Sequence, residues 1–393
     1  MSGIAWGLIK RTSGRKHGLT EQSVGSAVCG PRGSGRFASR VFVWLLPGYL
    51  LLLASCATSP AEPEVERLVW PAPPEKPRIK FVRSITSDED LKKDTTFSEG
   101  LLEFLAGEKP RPNRIVQPMG LAVTPDGDRL YVSDFAQSAV FAFDFAHQTL
   151  LKIEGLAAPT GIALDQAGNL YVVEQANRSV SLFSPDGTRI GVIKHPSLER
   201  PNGIAIDNKL KRIYVADASH TKSLEHTVKI FDFQGTLTGQ LGGKKGGSPG
   251  QFLFPTYVAV DHDSNVYVTD TLNSRVQMFN EDGDYIRSFG ARGNGWGMFD
   301  KPKGVALDSF GNVYVADSGW SNVQIFNKEG QVLLFFGGRG PIPGMLKNPT
   351  AIAIDGNNTI YVADYINHRV EAYQLVNTQA ADSFTVASDD GET

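Results

Sequence analysis

Cysteine is nearly absent from the 393 residues: Cys29 and Cys56 are the two, and both precede every repeated motif described below. A disulfide framework or a thiolate metal site is therefore excluded from the rest of the chain. Histidine is sparse as well, and His195, His220, His226, His262 and His368 show none of the short-spaced pairing of a zinc signature. We expect neither a metal nor another cofactor. Long apolar runs are missing; Val41 to Ser55 spans fifteen residues, short of the ~20 that a transmembrane helix needs. An excess of one charge is missing too. The formal net charge is −3, so no global field attracts nucleic acid, and no nucleic-acid partner is expected. No Gly-x-Ser-x-Gly elbow, Walker loop or dinucleotide fingerprint occurs. Gly290 to Gly297 is spelled somewhat like a phosphate loop, but it lies between two strand-like runs and opens no helix. What is abundant is glycine, at 41 residues, between short β-branched runs. That composition predicts many short strands joined by tight turns.

The N-terminal region has the organisation of an export signal. Arg36 and Arg40 precede the apolar run, which ends in Leu53-Ala-Ser-Cys56. A basic flank, a short apolar core and small residues at its end describe a signal peptide over residues 1–55, with the true start expected downstream of Met1. Leu-Ala-Ser-Cys resembles the bacterial lipobox, which implies acylation of Cys56 and a membrane attachment through its acyl chains. Six prolines fall between Ala57 and Pro77, so residues 56–77 read as an extended tether, ~3.1 Å per residue in polyproline geometry. Ala57 stands where enterobacterial lipoproteins kept in the inner membrane carry aspartate, so the expected location is the bacterial cell envelope, lipid-anchored in the outer membrane.

Beyond the tether one pattern recurs six times. Its first half reads Pro118-Met-Gly-Leu-Ala-Val, Pro159-Thr-Gly-Ile-Ala-Leu, Pro201-Asn-Gly-Ile-Ala-Ile, Pro255-Thr-Tyr-Val-Ala-Val, Pro302-Lys-Gly-Val-Ala-Leu and Pro349-Thr-Ala-Ile-Ala-Ile. Its second half ends at Asp134, Glu174, Asp217, Asp270, Asp317 and Asp364, each closing a Tyr-Val-x-acid run. The prolines stand 41, 42, 54, 47 and 47 residues apart. A period near 45 with four strand-like runs per unit predicts an all-β, six-bladed β-propeller of four-stranded antiparallel blades over residues 78–376. Alanine recurs in every inner strand, where the blades converge and space is short. Tyr257 and Ala351 replace the glycine two positions before it, so those blades must make room differently. The sixth unit lacks an outermost strand, and Arg78 to Ile85 is strand-like. We expect that segment to supply the strand and close the ring, leaving no open edge. Ser98 to Gly107 reads as a short helix, and residues 377–393 as a disordered tail.

The run Pro-x-Gly-Val-Ala-x-Asp, Gly-Asn-x-Tyr-Val-Ala-Asp, Asn-x-Arg-Val-Gln-x-Phe is similar to the NHL repeat family. Asn273-Ser-Arg275-Val-Gln-Met-Phe279 and Asn367-His-Arg369-Val370 carry it best. The resemblance implies that the carboxylate after the second strand ties down a turn, and that Asp270–Arg275 and Asp364–Arg369 are structural pairs. Relatives include a zinc-binding peptidyl-amide lyase, whose ligand motif has no counterpart here, and RNA binders, whose ligand an exported protein does not meet.

No catalytic constellation is assigned. In such a ring the loops joining strands two to three and blade to blade share one face, and the features that break the repeat collect there: Phe135, His220, Lys222, His226, Lys244, Lys245, Arg292, Trp296, Trp320, Arg339 and Tyr365. Basic groups interleaved with aromatics point to recognition. The expected function is a lipid-anchored scaffold binding a protein or an envelope polymer. The alternative is a metal-dependent lactonase-like or lyase-like enzyme with its site at the channel.

Overall fold

The computed structural model describes residues 68–91, 112–219 and 224–378. The segment Ser98 to Gly107, Cys56 with its signal, and most of the C-terminal tail lie outside the described residues. Within them the fold is six antiparallel sheets; five have four strands in sequence order from the inside outwards, and the sixth adds outer strands from the start of the described chain. Blade five shows the unit: Pro302–Leu307, Val313–Asp317, Asn322–Phe326 and Val332–Gly337.

Each inner strand opens on its proline, a position where no ladder N–H is required. The register then shifts immediately, between Pro118 and Gly120, Pro201 and Ile204, Pro302 and Val305, and at the same place in the other three blades. Past that bulge the motif's alanine lies opposite the motif's tyrosine, as in Ala306 and Tyr314 or Ala205 and Tyr214. Opposed residues of an antiparallel pair share a face, so a small residue in strand one admits the large ring in strand two. The tyrosine hydroxyl then meets an aspartate of the next turn, Tyr314 to Asp308 at 3.0 Å. Asp308 also accepts from the backbone of Phe310 and Asn312, both at 2.9 Å, which fixes the tight turn.

Adjacent inner strands approach very closely. A Cβ on Gly161 would lie 2.4 Å from the Asn202 carbonyl, so that position admits no side chain. The six strand-two carboxylates are buried and bind backbone on the same face. Asp364, for example, accepts from Lys347 N at 2.8 Å and Asn348 N at 3.0 Å, anchoring the loop that enters its own inner strand. Asp134, Glu174, Asp217, Asp270 and Asp317 do the same for their blades.

Ile79–Ile85 pairs antiparallel with Arg369–Leu375 and completes blade six, so the ring closes with strands from both ends of the described chain. One boundary moves. Val69–Trp70, inside the segment read as tether, adds a fifth strand beside Ile79–Ile85. The Trp70 ring packs against Tyr373 and Phe336, which draws residues from 68 onward into the fold.

Candidate functional site

The bulge that opens each inner strand turns its second residue toward the propeller axis. Met119, Asn202, Thr256, Lys303 and Thr350, all at that position, line one cavity of about 140 Å³ at the mouth of the channel. Bulges re-aim side chains in this way beside binding sites. Around the mouth, side chains of one blade bond to backbone of the next. Ser133 Oγ donates to Thr160 O at 2.5 Å, Thr160 Oγ1 to Asn202 O at 3.0 Å, Asn202 Nδ2 to Thr256 O at 3.0 Å, and Thr271 Oγ1 to Pro302 O at 2.6 Å. Thr350 Oγ1 donates to Pro118 O at 3.0 Å, linking blade six to blade one. At the step from blade five to blade six stands Lys303, whose Nζ reaches Asn348 Oδ1 at 3.4 Å.

Tyr257 explains how blade four does without the motif glycine. Its side chain reaches into the mouth, and its hydroxyl donates to the Met119 carbonyl of blade one. Burial pushes this phenol well above its ordinary value. Arg200 joins Lys303 in the lining, its guanidinium 5.1 Å from the centre of the Phe254 ring. Burial, with the charge of Lys301 beside it, holds the Lys303 ammonium below its ordinary value. The cavity is lined by no Asp, Glu, His or Cys. Among the described residues no three such side chains come together to hold a metal ion. Two cations in place of acids do not fit the divalent ion of the lactonase-like alternative, because they repel it.

The residues expected on this face separate into groups. Phe135 and Trp320 are exposed in turns after the second strand, where the Trp320 indole donates to Gly293 O at 2.8 Å. Arg339 is exposed and donates to Gly319 O at 3.1 Å, Tyr365 is half-buried, and Arg292 is exposed. Trp296 is 67% exposed and packs on Phe335 of blade five's outer strand, with ring centres 4.9 Å apart. Lys244 ends the outer strand of blade three, and Lys245 follows it half-buried. His220 and Lys222 lie outside the described residues. His226 is a correction. It opens no exposed loop; it sits in the third strand of blade three, 4% exposed, and its Nδ1 accepts the Phe254 N–H at 2.9 Å.

Of the two expected ion pairs, Asp270 and Arg275 meet at 2.9 Å. The other is a correction. Arg369 Nε lies 2.5 Å from Glu371 Oε1, not against Asp364, while its other nitrogens donate to the carbonyls of Pro341, Ile342 and Met345. The Nε makes no directed hydrogen bond, so the contact is an ionic one. The reason is one residue: blade six carries an acid at Glu371 where blade four carries Gln277.

Sequence reasoning missed Arg200, Asn202, Phe254, Lys303 and the bonding of Tyr257. A signal was there. The residue after the motif proline reads Met119, Thr160, Asn202, Thr256, Lys303 and Thr350, varying inside an otherwise repetitive motif.

A wider cleft of about 390 Å³ runs between blades three and four, lined by charges of both signs; Arg212 crosses it to the Glu281 carbonyl at 2.5 Å.

Three family models match parts of the chain: an SMP-30/gluconolactonase/LRE-like region over residues 107–219, a 6-bladed beta-propeller over 257–319, and an NHL repeat over 346–373. The brain tumor protein of Drosophila melanogaster is 31% identical over 119 residues, covering 30% of this chain and 11% of that protein. A gluconolactonase of Zymomonas mobilis is 28% identical over 138 residues, covering 31% of this chain and 36% of the enzyme. The chain thus spans well under half the length of either relative. The crystal structure of a Xanthomonas campestris gluconolactonase superposes with a TM-score of 0.53 at 16% identity, covering 75% of this chain and 98% of that one. At that identity the likeness shows the fold. The six repeats, the six-bladed ring and the models matched over residues 257–319 and 346–373 together support an NHL-repeat β-propeller.

Proposed function

We propose that this propeller is an exported, lipid-anchored scaffold that presents one face to a protein or an envelope polymer. The observation that supports this reading best is the contrast between rim and axis on that face. The turns after the second strands expose Phe135, Leu272, Trp320 and Ile366, while the axial mouth is cationic. Exposed aromatics beside basic groups favour recognition of a partner. The basic flank, short apolar run and Leu-Ala-Ser-Cys56 support export and acylation, and several acyl chains, at ~0.8 kcal/mol per buried CH₂, make attachment stable.

Fractionation tests the anchor. Cys56→Ser should move the chain from the membrane pellet to the soluble fraction, and a variant that stays in the pellet overturns the lipoprotein reading. The lactonase-like alternative is favoured by the match over residues 107–219 and by the Zymomonas relative. The lining argues against it, because Lys303 and Arg200 stand where a divalent ion needs acids. Elemental analysis of the purified chain decides between them: a stoichiometric divalent ion that survives dialysis overturns the scaffold reading, and its absence supports it.

A further inference from the structure

We infer that the axial mouth is an anion site in which Lys303 and Arg200 take one oxyanion, a carboxylate or a phosphate, of the bound partner. The inference rests on reading this face as the binding face, and it is independent of the anchor.

Three observations converge on it. The first is unequal satisfaction around the axis. At five of the six blade-to-blade steps a hydroxyl or amide bonds to a carbonyl of the next inner strand at 2.5 to 3.0 Å, whereas at the sixth the hydroxyl bridge, Ser321 Oγ to Lys347 O at 3.0 Å, reaches only the loop before that strand. Lys303 occupies the sixth with three donors and one acceptor at 3.4 Å. A half-buried ammonium so poorly partnered has unmet demand for an acceptor.

The second observation is charge. Lys303 forms no ion pair with a described residue, and the Arg200 guanidinium has the Phe254 ring as its contact. Both cations face the same cavity, and no carboxylate lines it. Two uncompensated cations in one partly enclosed space repel each other and are stabilised together by an anion between them. The lowered pKa of Lys303 points the same way, since a bound anion favours its charged form.

The third observation is shape. About 140 Å³ holds a group no larger than a terminal carboxylate with its adjoining amide, or a phosphate. Tyr257, hydrogen-bonded to Met119, sits in the lining, and Phe254 and Met119 give it apolar surface beside the charges. The ligand is therefore an end group entering from the rim.

The test is calorimetric titration of the purified full-length chain at constant ionic strength. The probes are N-acetylglycine, inorganic phosphate and the neutral isostere N-acetylglycinamide. Saturable one-site binding of either anion, with none of the amide, is expected; N-acetylglycine alone assigns a carboxylate source and phosphate alone a phosphate source. Lys303→Met should weaken binding by about tenfold or more, Arg200→Gln by several-fold, and Lys303→Arg should stay near wild type, since a hydrogen bond to a charged group is worth ~1.5–3 kcal/mol. Binding of neither anion overturns the site, as does a Lys303→Met chain that melts like wild type and binds equally well. Arg200 is exposed, so its variant provides the same test should Lys303→Met fail to fold. If an anion binds while Cys56→Ser remains in the membrane pellet, the site stands and the anchor falls. If neither binds while that variant is released, the site falls and the scaffold stands.

Discussion

Burial, followed by the charge of Lys245, holds the His226 imidazole below its ordinary value of 6.5. Its Nδ1 accepts the Phe254 N–H, so the folded chain contains the neutral ring. The sign follows from linkage. Below about pH 6.5 the unfolded chain binds a proton at this residue that the folded chain resists, so folding stability is full above that value and falls as pH drops. In His226→Gln the amide oxygen retains an acceptor and the titration disappears. Thermal melts from about pH 7.5 to about pH 5 should therefore fall more steeply for wild type than for the variant. Parallel curves would show that His226 does not titrate with folding. The variant also loses the edge contact with Phe254, at 5.8 Å, and should be less stable near neutrality by about 1 kcal/mol. None of this was legible in the sequence. His226 stands among polar residues, and its strand, Glu225–Asp232, is recognisable only once Val228 and Phe231 are known to face the core. Lys303 was hidden for the opposite reason. It lies in a motif so regular that one deviating residue looks incidental until the bulge turns it to the axis.

Blade six shows how one side chain locks an element in place. Glu371 has 0% of its surface exposed and Arg369 has 9%. Burial lifts the Glu371 carboxyl above its ordinary value, opposed by the hydroxyl of Ser84, which donates at 2.6 Å from the closing strand Ile79–Ile85. Gly344 N donates to the same carboxylate at 3.1 Å. Glu371 thus ties the closing strand, the Arg369 guanidinium and the preceding loop together. Glu371→Leu leaves the Arg369 charge buried without its partner and should cost about 3–5 kcal/mol in denaturant unfolding. Glu371→Gln reproduces the residue that blade four uses at this place and should cost less, because its amide oxygen still accepts from Gly344 N while its Nε2 can donate to the Ser84 hydroxyl. Equal losses for the two would mean that the charge both variants remove, and not the hydrogen bonds to Ser84 and Gly344, is what matters. The blades themselves were legible. Proline opens each inner strand, Tyr-Val-x-acid closes each second one, and Asp-Gly or Gly-Asn marks the turns, so local chemistry and the repeat agree. Val69–Trp70 was not legible, because six surrounding prolines look like a spacer until Tyr373 and Phe336 provide a surface for Trp70. The Asp364–Arg369 pair was inferred from a family spacing that ignores the competing acid two residues later.

Closure of the ring joins residues far apart in the chain: Ile79 lies opposite Leu375, and Val376 N donates to Arg78 O at 2.8 Å. Every other outer hairpin is local. This pairing must therefore await nearly the whole propeller, and its loop entropy makes it a late event in folding. Once formed it works as a latch, because blade six cannot splay without breaking a ladder between the two ends. Asn377 lies beside Pro77, its Nδ2 donating to Pro77 O at 2.9 Å, so the two segments can be joined by a short turn. A permuted chain with that join, opened between residues 91 and 112, keeps every strand except Val69–Trp70 and makes each blade a continuous segment. Blades one and six would then be held by packing and by contacts such as Gly356 N to Pro125 O at 2.8 Å and Thr350 to Pro118. We expect this permutant to form the same ring, to fold faster, and to unfold about tenfold faster for each ~1.4 kcal/mol of barrier that the latch supplied. Stopped-flow unfolding of both chains measures this. An unfolding rate equal to that of the natural order would show that inter-blade packing alone sets the ring's lifetime, and that pairing the two ends serves to hide an edge strand rather than to hold the propeller shut.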